Sequence, residues 1–228
     1  MDYYPGKIND EYIKEYIERI IPDEKNEFIF QMEQYALKNN VPIIEIETKR
    51  MLEVFIKSSN IKSVLEVGTA IGYSSIVFSR AMNYNGFIKS YEIDKEIHEI
   101  AKQNIKDYKE KYNLDFNVDL ILSDAKTSLE SENGIYDLIF IDAAKGHYQK
   151  FYNQITNNLK KGSVIISDNV LFKGMIATDE YVKKRKITIV KRMRNYIDFL
   201  MNSEELTTTI IPIGDGVAIS YYNGGKDE

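Results

Sequence analysis

The sequence predicts an α/β fold, a doubly wound and mostly parallel sheet of seven strands that ends in an antiparallel hairpin and is preceded by helices. Three observations predict it. From Ser63 onward, short β-branched runs alternate with amphipathic segments, the pattern of parallel strands joined by crossover helices. The tail breaks that pattern, because residues 207–213 and 217–222 read as two strands joined only by Gly214, Asp215 and Gly216. Finally, 228 residues at 43% hydrophobic suit one core. A single domain is therefore expected over 1–228, with 1–60 as an N-terminal helical cap and 61–228 as the core.

Taken in order, residues 9–20 and 23–39 carry helical periodicity, with Tyr12, Tyr16 and Ile20, then Phe28, Met32, Tyr35 and Ala36, on repeating faces. Pro22 divides them. After the apolar turn Val41, Pro42, Ile43, Ile44, a third helix is expected from about 48 to 57. Strands follow at 64–67, 87–92, 118–122, 138–141 and 164–167. A long helix from about 185 to 201 turns Ile187, Val190, Met193, Ile197 and Leu200 inward. No repeat, low-complexity tract or linker interrupts the series.

Composition removes several function classes. No stretch approaches the apolar length of a bilayer span, and residues 1–9 lack the basic and then apolar pattern of a secretion signal, so a cytoplasmic protein without a membrane partner is expected. With no cysteine and only His98 and His147, neither a thiolate nor a histidine-rich metal site can be built. Any metal must be held by oxygen. A formal charge of -5 argues against indiscriminate nucleic-acid binding. Yet seven basic residues and no acid fall between Lys183 and Arg194, leaving 23 basic against 35 acidic residues elsewhere. On a helix, Lys184 with Lys191 and Arg185 with Arg192 recur two turns apart on the outer face, an arrangement that can track phosphates.

The run from Val64 to Ser74 is a strand that turns through Gly68 and Gly72 into a helix, whose first N–H groups lack partners within the helix. Glu92 ends the next strand, where a carboxylate can accept from ribose hydroxyls. A dinucleotide would require a middle glycine to admit its pyrophosphate, and Ala70 and Ile71 stand there instead. Glu66 is an awkward neighbour for phosphate but suits a ligand bearing ammonium and sulfonium charges, which describes S-adenosylmethionine. Asp124, before Ala125, ends the third strand, where an adenine amino group can be read.

Two later strand ends carry Asp142, followed by Lys145, and the pair Asp168 and Asn169. Open α/β sheets bind ligands at that edge, and two carboxylates with an amide carbonyl form a hard-oxygen set suited to magnesium, manganese or calcium, with Mg2+ the default.

These stretches, with Leu65 to Thr69, Phe140 to Lys145, Ser167 to Leu171 and Gly214 to Gly216, resemble the catechol and caffeoyl-CoA class of cation-dependent O-methyltransferases from about Phe28 to Ser220. The resemblance implies a Rossmann-like class I methyltransferase fold and a metal held by Asp142, Asp168 and Asn169. It further implies cofactor contacts from Val41, Ile43, Glu66, Gly68, Ser74, Glu92, Ala125 and Asp142, and catalytic positions at Asp142 and Lys145. The chemistry is coherent without it. The sulfonium methyl is already electrophilic, so the enzyme must generate an oxygen nucleophile and align it, and a cation does the first by lowering the hydroxyl's pKa. Lys145 can take the proton only if the nearby cation depresses its own pKa.

The sequence is most similar to the bacterial branch that methylates 5-hydroxyuridine in transfer RNA, through Met32 to Ala36, Val41 to Ile43, Gly68 to Ser74, Asp168 to Gly174 and Ile211 to Gly216. It departs from that branch in the isoleucines and valine of the basic helix and in an extension at residues 1–9. The resemblance implies 5-hydroxyuridine at the wobble position as acceptor, 5-methoxyuridine as product, and the anticodon stem-loop as partner, with its phosphates on Lys184, Arg185, Lys191 and Arg192. The base's 5-hydroxyl and 4-carbonyl offer a metal two adjacent oxygens, as a catechol does, and a single-stranded loop can splay its base into a pocket. A small catechol-like acceptor is the alternative, and a non-catalytic cofactor-binding or RNA-binding module the third reading. The apolar N-terminal helices and the resemblance both point to a homodimer.

Overall fold

In the computed structural model, which describes residues 11–225, the chain runs α1 (Glu11–Ile20), α2 (Glu27–Asn39), α3 (Ile46–Ser58), β1 (Ser63–Val67), α4 (Tyr73–Ala81), β2 (Phe87–Glu92), α5 (Lys95–Tyr112) and β3 (Asn117–Leu122). It continues through α6 (Ala125–Ser128), β4 (Tyr136–Ile141), α7 (Tyr148–Ile155), β5 (Leu159–Ser167), α8 (Ile187–Asn202), β6 (Leu206–Ile211) and β7 (Val217–Tyr222). Short 3₁₀ turns at Lys145–His147, Phe172–Gly174 and Lys184–Lys186 lie between them. The strands form one seven-stranded sheet in the order β3-β2-β1-β4-β5-β7-β6. β1 pairs parallel with β2, β2 with β3 and β4 with β5, whereas β7 is antiparallel to both β5 and β6. This is the fold class the sequence predicts. The expected helix start at residue 9 and the extension at 1–9 fall outside the described residues. No helix among those described is long and apolar enough to cross a membrane.

Two compact units divide the described residues, one of Tyr16–Ala125 and one of those from Lys126 onward with those before Tyr16. In the first, β1 is buried from Val64 to Val67 and α4 is buried throughout except at Arg80. α5 buries His98, Ala101, Ile105 and Tyr108 at helical spacing, and Asp94 caps its start by accepting from the N–H groups of Glu96 and Ile97. Residues 23–26, expected as helix, stay outside α2. Asn26 is its cap, in extended conformation, with its side chain accepting from Ile29 N–H. Five of the unit's charged side chains form a largely buried network over α2, α3 and α4. Lys49 Nζ lies 2.6 Å from Glu24 and 2.8 Å from Glu33, while Arg80 reaches Glu24 at 2.8 Å and Glu53 at 2.5 Å.

In the second unit, β4 is fully buried from Leu138 to Ile141, and α7 covers its core with Tyr148, Phe151, Tyr152 and Ile155. α8 buries Val190, Met193, Tyr196 and Leu200, and the Tyr196 hydroxyl shares a 2.7 Å hydrogen bond with Ser167. Two expectations for this helix are corrected. Ile187, expected inside, is 54% exposed, because Val190 and Ile189 instead pack on Phe172 and Met175. Lys184 and Arg185 precede α8 in a 3₁₀ turn, so they do not share its helical register with Lys191 and Arg192.

Candidate active site

Sequence-predicted residues fall in both units, and each group has a local geometry of its own. After β1, the chain passes through Gly68 at φ 108°, Ala70 at φ 46° and Gly72 at φ 81° before α4 begins. Gly72 serves the turn twice. Its left-handed backbone favours glycine, and a Cβ there would press on Ala101 at 3.4 Å.

Glu66, on β1, is fully buried. Its carboxylate accepts hydroxyl hydrogen bonds from Ser74, from Ser75 at 2.5 Å and from Ser90 at 2.6 Å. Ser90 is its register partner on β2, and Ser74 and Ser75 open α4, so one buried charge ties both strands to the turn. These hydroxyls stabilise the carboxylate where water cannot reach it. Glu92 caps the end of β2: Oε2 accepts from Ala70 N–H, and Oε1 accepts from the N–H groups of Ile93 and Asp94, each at 2.9 Å. A carboxylate offers about four acceptor sites, so here one is left for a ligand hydroxyl, where the sequence suggested two. Ser123 N–H donates to Glu92 O at 2.8 Å, which sets Ala125 at the first residue of α6 beyond the same edge. Val41 and Ile43 lie half-buried in the connection between α2 and α3.

In the other unit, the parallel ladder pairs Ile141 with Ser167, and Asp168 N–H extends it by donating to Ile141 O at 2.9 Å. That bond sets Asp142 and Asp168 side by side past two strand ends. Asp168 is 1% exposed. Burial pushes the Asp142 carboxyl up, and Lys145 only partly offsets it. Tyr148, whose hydroxyl donates to Asp168 O at 2.9 Å, is held well above the phenol range by burial and then by the charges of Asp142 and Asp168. Both carboxylates therefore act on one buried phenol. Asn169 has a left-handed φ of 56°, and its Oδ1 accepts from Lys145 Nζ at 2.9 Å. Two carboxylates and an amide oxygen thus follow adjacent strand ends, with Lys145 bonded to the amide and acting on Asp142, and the chemistry of that oxygen donor set fits a hard divalent cation.

The segment after Asn169 is held in place by the β6–β7 turn. Val170 N–H donates to Gly216 O at 2.9 Å, Leu171 N–H to Asp215 O at 3.0 Å, and Lys173 N–H to the Asp215 carboxylate. Asp215 also lies 3.9 Å from Lys145 Nζ. Asn169, Phe172 and Lys173 all take positive φ, a costly backbone that persists only where the surroundings fix it. Lys145 and Lys186 each stand 5.7 Å from the Phe172 ring centre, so the basic 3₁₀ turn borders the carboxylate cluster. Lys184, Arg185, Lys191 and Arg192 are exposed.

Sequence reasoning missed Ser75, Ser90 and Tyr148, and it placed Asp215 only in the hairpin turn and in the resembling motif. The serine doublet after Tyr73 was a usable signal for the first. Ser90 and Tyr148 act through strand register or tertiary packing, which leaves no local mark, and Asp215, visible as the residue between two turn glycines, showed nothing of its hold on the segment after Asn169.

A family model described as O-methyltransferase matches residues 20–222. The caffeoyl-CoA O-methyltransferase of Medicago sativa is 28% identical over 189 residues, which span 79% of this chain and 74% of that protein. Among solved structures, a candidate caffeoyl-CoA O-methyltransferase of Staphylococcus aureus is 32% identical, with a TM-score of 0.79 over 92% of this chain and 97% of its own. An O-methyltransferase of Bacillus cereus in complex with SAH, 23% identical, shares the fold with a TM-score of 0.77 over 92% of this chain and 97% of its own.

Proposed function

The chain belongs to the O-methyltransferase family, and from that premise we propose that it transfers the methyl of S-adenosylmethionine to the 5-hydroxyl of 5-hydroxyuridine at the wobble position of transfer RNA, giving 5-methoxyuridine. The observation that carries the chemistry is the cluster of Asp142, Asp168 and Asn169 with Lys145 Nζ bonded to Asn169. When bound, S-adenosylmethionine supplies an electrophilic methyl and a divalent ion, Mg2+ by default, acidifies the acceptor hydroxyl.

The chain's own residues do the rest. Glu92 offers its remaining acceptor site to a ligand hydroxyl. Gly68, Glu66 and Ser74 shape the turn that faces the cofactor, with Val41, Ile43, Ala125 and Asp142 as its further contacts. Asp142, Asp168 and Asn169 hold the ion. Lys145, in the neutral amine form that an adjacent divalent cation would favour, would take the hydroxyl's proton at Nζ as the new carbon–oxygen bond forms and the carbon–sulfur bond breaks. Lys184, Arg185, Lys191 and Arg192 meet the phosphates of the anticodon stem-loop, a role supported by their exposure and by the segregation of charge along the chain.

A second reading, a small catechol-like acceptor, is favoured by the caffeoyl-CoA O-methyltransferases among the relatives. We also propose a homodimer, in which a second copy covers Tyr12, Tyr16 and Ile20 of α1, exposed at 70%, 53% and 56%.

Purified protein is to be incubated with S-adenosylmethionine, Mg2+ and an anticodon stem-loop carrying 5-hydroxyuridine, and the nucleosides resolved by mass spectrometry. The expected result is 5-methoxyuridine, lost on chelation of the metal and in Asp168→Ala. Efficient methylation of catechols with no turnover of the stem-loop overturns the RNA assignment in favour of the second reading.

A further inference from the structure

Outside the carboxylate cluster, the 3₁₀ turn Lys145–His147, the first turns of α7 and the outer face of α8 enclose a cleft of about 440 Å3. That volume lies within the range of small-ligand sites, roughly 300–1,000 Å3. Its walls include Lys145, His147, Lys150, Asn153, Arg192 and Asn195, and among the described residues no carboxylate lines it. In a chain with more acidic than basic residues, an acid-free wall carrying two cations, Lys150 and Arg192, beside the proton-accepting Lys145 is a selective feature.

The donors are positioned but little used. Arg192 spends one N–H on Gly146 O at 3.3 Å and lies over a glycine whose added Cβ would meet its Nη1 at 3.5 Å. Its other N–H groups have no protein partner among the described residues. Lys150, also exposed, makes no ion pair among them. Asn153 Oδ1 already accepts from Gln149 at 3.0 Å, which leaves its amide N–H groups as what it can offer a ligand. Cations and amides with few acceptors among them recognise an anion that has several oxygens. Lys145, one of the wall residues, bonds Asn169 through Nζ, so the cleft shares a residue with the carboxylate cluster.

We propose that this cleft seats a phosphate of the methyl acceptor. The inference rests on the RNA reading only for the source of that phosphate, which is then a backbone phosphate next to the modified nucleotide. A coenzyme A thioester is the other source with the same chemistry.

The test uses Lys150→Gln and Asn195→Asp, with three acceptors: the 5-hydroxyuridine stem-loop, caffeoyl-CoA, and caffeic acid, which lacks phosphate. Lys161→Gln removes the same charge at the far end of β5, about 20 Å along the strand from Ser167. For whichever phosphate-bearing acceptor the wild type uses, Lys150→Gln and Asn195→Asp are expected to raise KM about ten-fold with little change in kcat. The salt dependence of the Lys150→Gln enzyme should be shallower by about one. Caffeic acid turnover should stay within about two-fold, as should every acceptor with Lys161→Gln. If the wild type ignores the stem-loop but Lys150→Gln raises KM for caffeoyl-CoA, the RNA reading falls and the phosphate seat stands. Equal effects on all three acceptors, effects no larger than those of Lys161→Gln, or turnover confined to caffeic acid would overturn it.

Discussion

Replacing Lys49 with methionine is expected to cost about 3 kcal/mol of stability, mostly through the carboxylates it leaves behind. The apolar stem of Lys49 is retained in Met, so packing is nearly conserved and the perturbation is electrostatic. The ammonium is buried, 2.6 Å from Glu24 and 2.8 Å from Glu33, and 5.5 Å from the Tyr73 ring centre. Removing one partner of a buried ion pair costs about 3–5 kcal/mol, because the remaining charge is left uncompensated. Glu24 keeps Arg80 at 2.8 and 3.0 Å, and Glu33 is 24% exposed, so the lower end applies. For a chain of this size that is a fall in Tm of about 6–12 °C. Adding Glu33→Gln should recover more than half of it, since the stranded charge is then gone. Tyr73, whose hydroxyl donates to Glu33 at 2.5 Å, is the first residue of α4 after Gly72, so a several-fold loss of S-adenosylmethionine affinity should accompany the loss of stability. Thermal unfolding followed by circular dichroism, with and without cofactor, measures both effects. A Tm within 2 °C of wild type, or a double variant less stable than Lys49→Met, would refute the electrostatic account.

Two further outcomes follow from other contacts. Burial raises the Glu24 carboxyl, but Arg80 and Lys49 outweigh it and hold the group at about 2 against an ordinary 4.5, so its contribution is present above pH 4.5 and is lost as pH falls towards 2. Urea midpoints between pH 5 and 3 should therefore drop less steeply in Glu24→Gln than in wild type, and parallel slopes would disprove the linkage. Gly216 has φ 82°, and an added Cβ would lie 2.2 Å from Leu171, so Gly216→Ala must displace the segment that carries Asn169. A fall in kcat of about a hundred-fold is expected from a misplacement near 1 Å, with cofactor affinity by calorimetry unchanged, whereas full activity would show the turn to be irrelevant.

Much of this site was legible because its residues sit at predictable places on regular elements. A glycine turn after the first strand, Glu92 at the end of the second, and Asp142, Asp168 and Asn169 after the fourth and fifth all follow from β-branched runs and their punctuation. Less was legible where a boundary depends on a competing local bond or on packing. Asn26 starts α2 four residues later than periodicity suggests, by accepting from Ile29 N–H. Ile187 fits the apolar stripe of α8 on paper, yet Ile189 and Val190 meet Phe172 and Met175 in its place.

Alone, then, the sequence determined the alternation of elements, the oxygen-only donor set and the unequal distribution of charge, since composition and periodicity are properties of neighbours along the chain. Only the tertiary structure decided that Ser90 would hold Glu66 across a strand pair, that the Tyr148 hydroxyl would bond the Asp168 carbonyl, and that Asp215 would anchor the segment after Asn169. The hydrogen bonds behind those pairings join residues that strand register and packing bring together, 20 to 42 positions apart, and no local pattern encodes a partner at that separation.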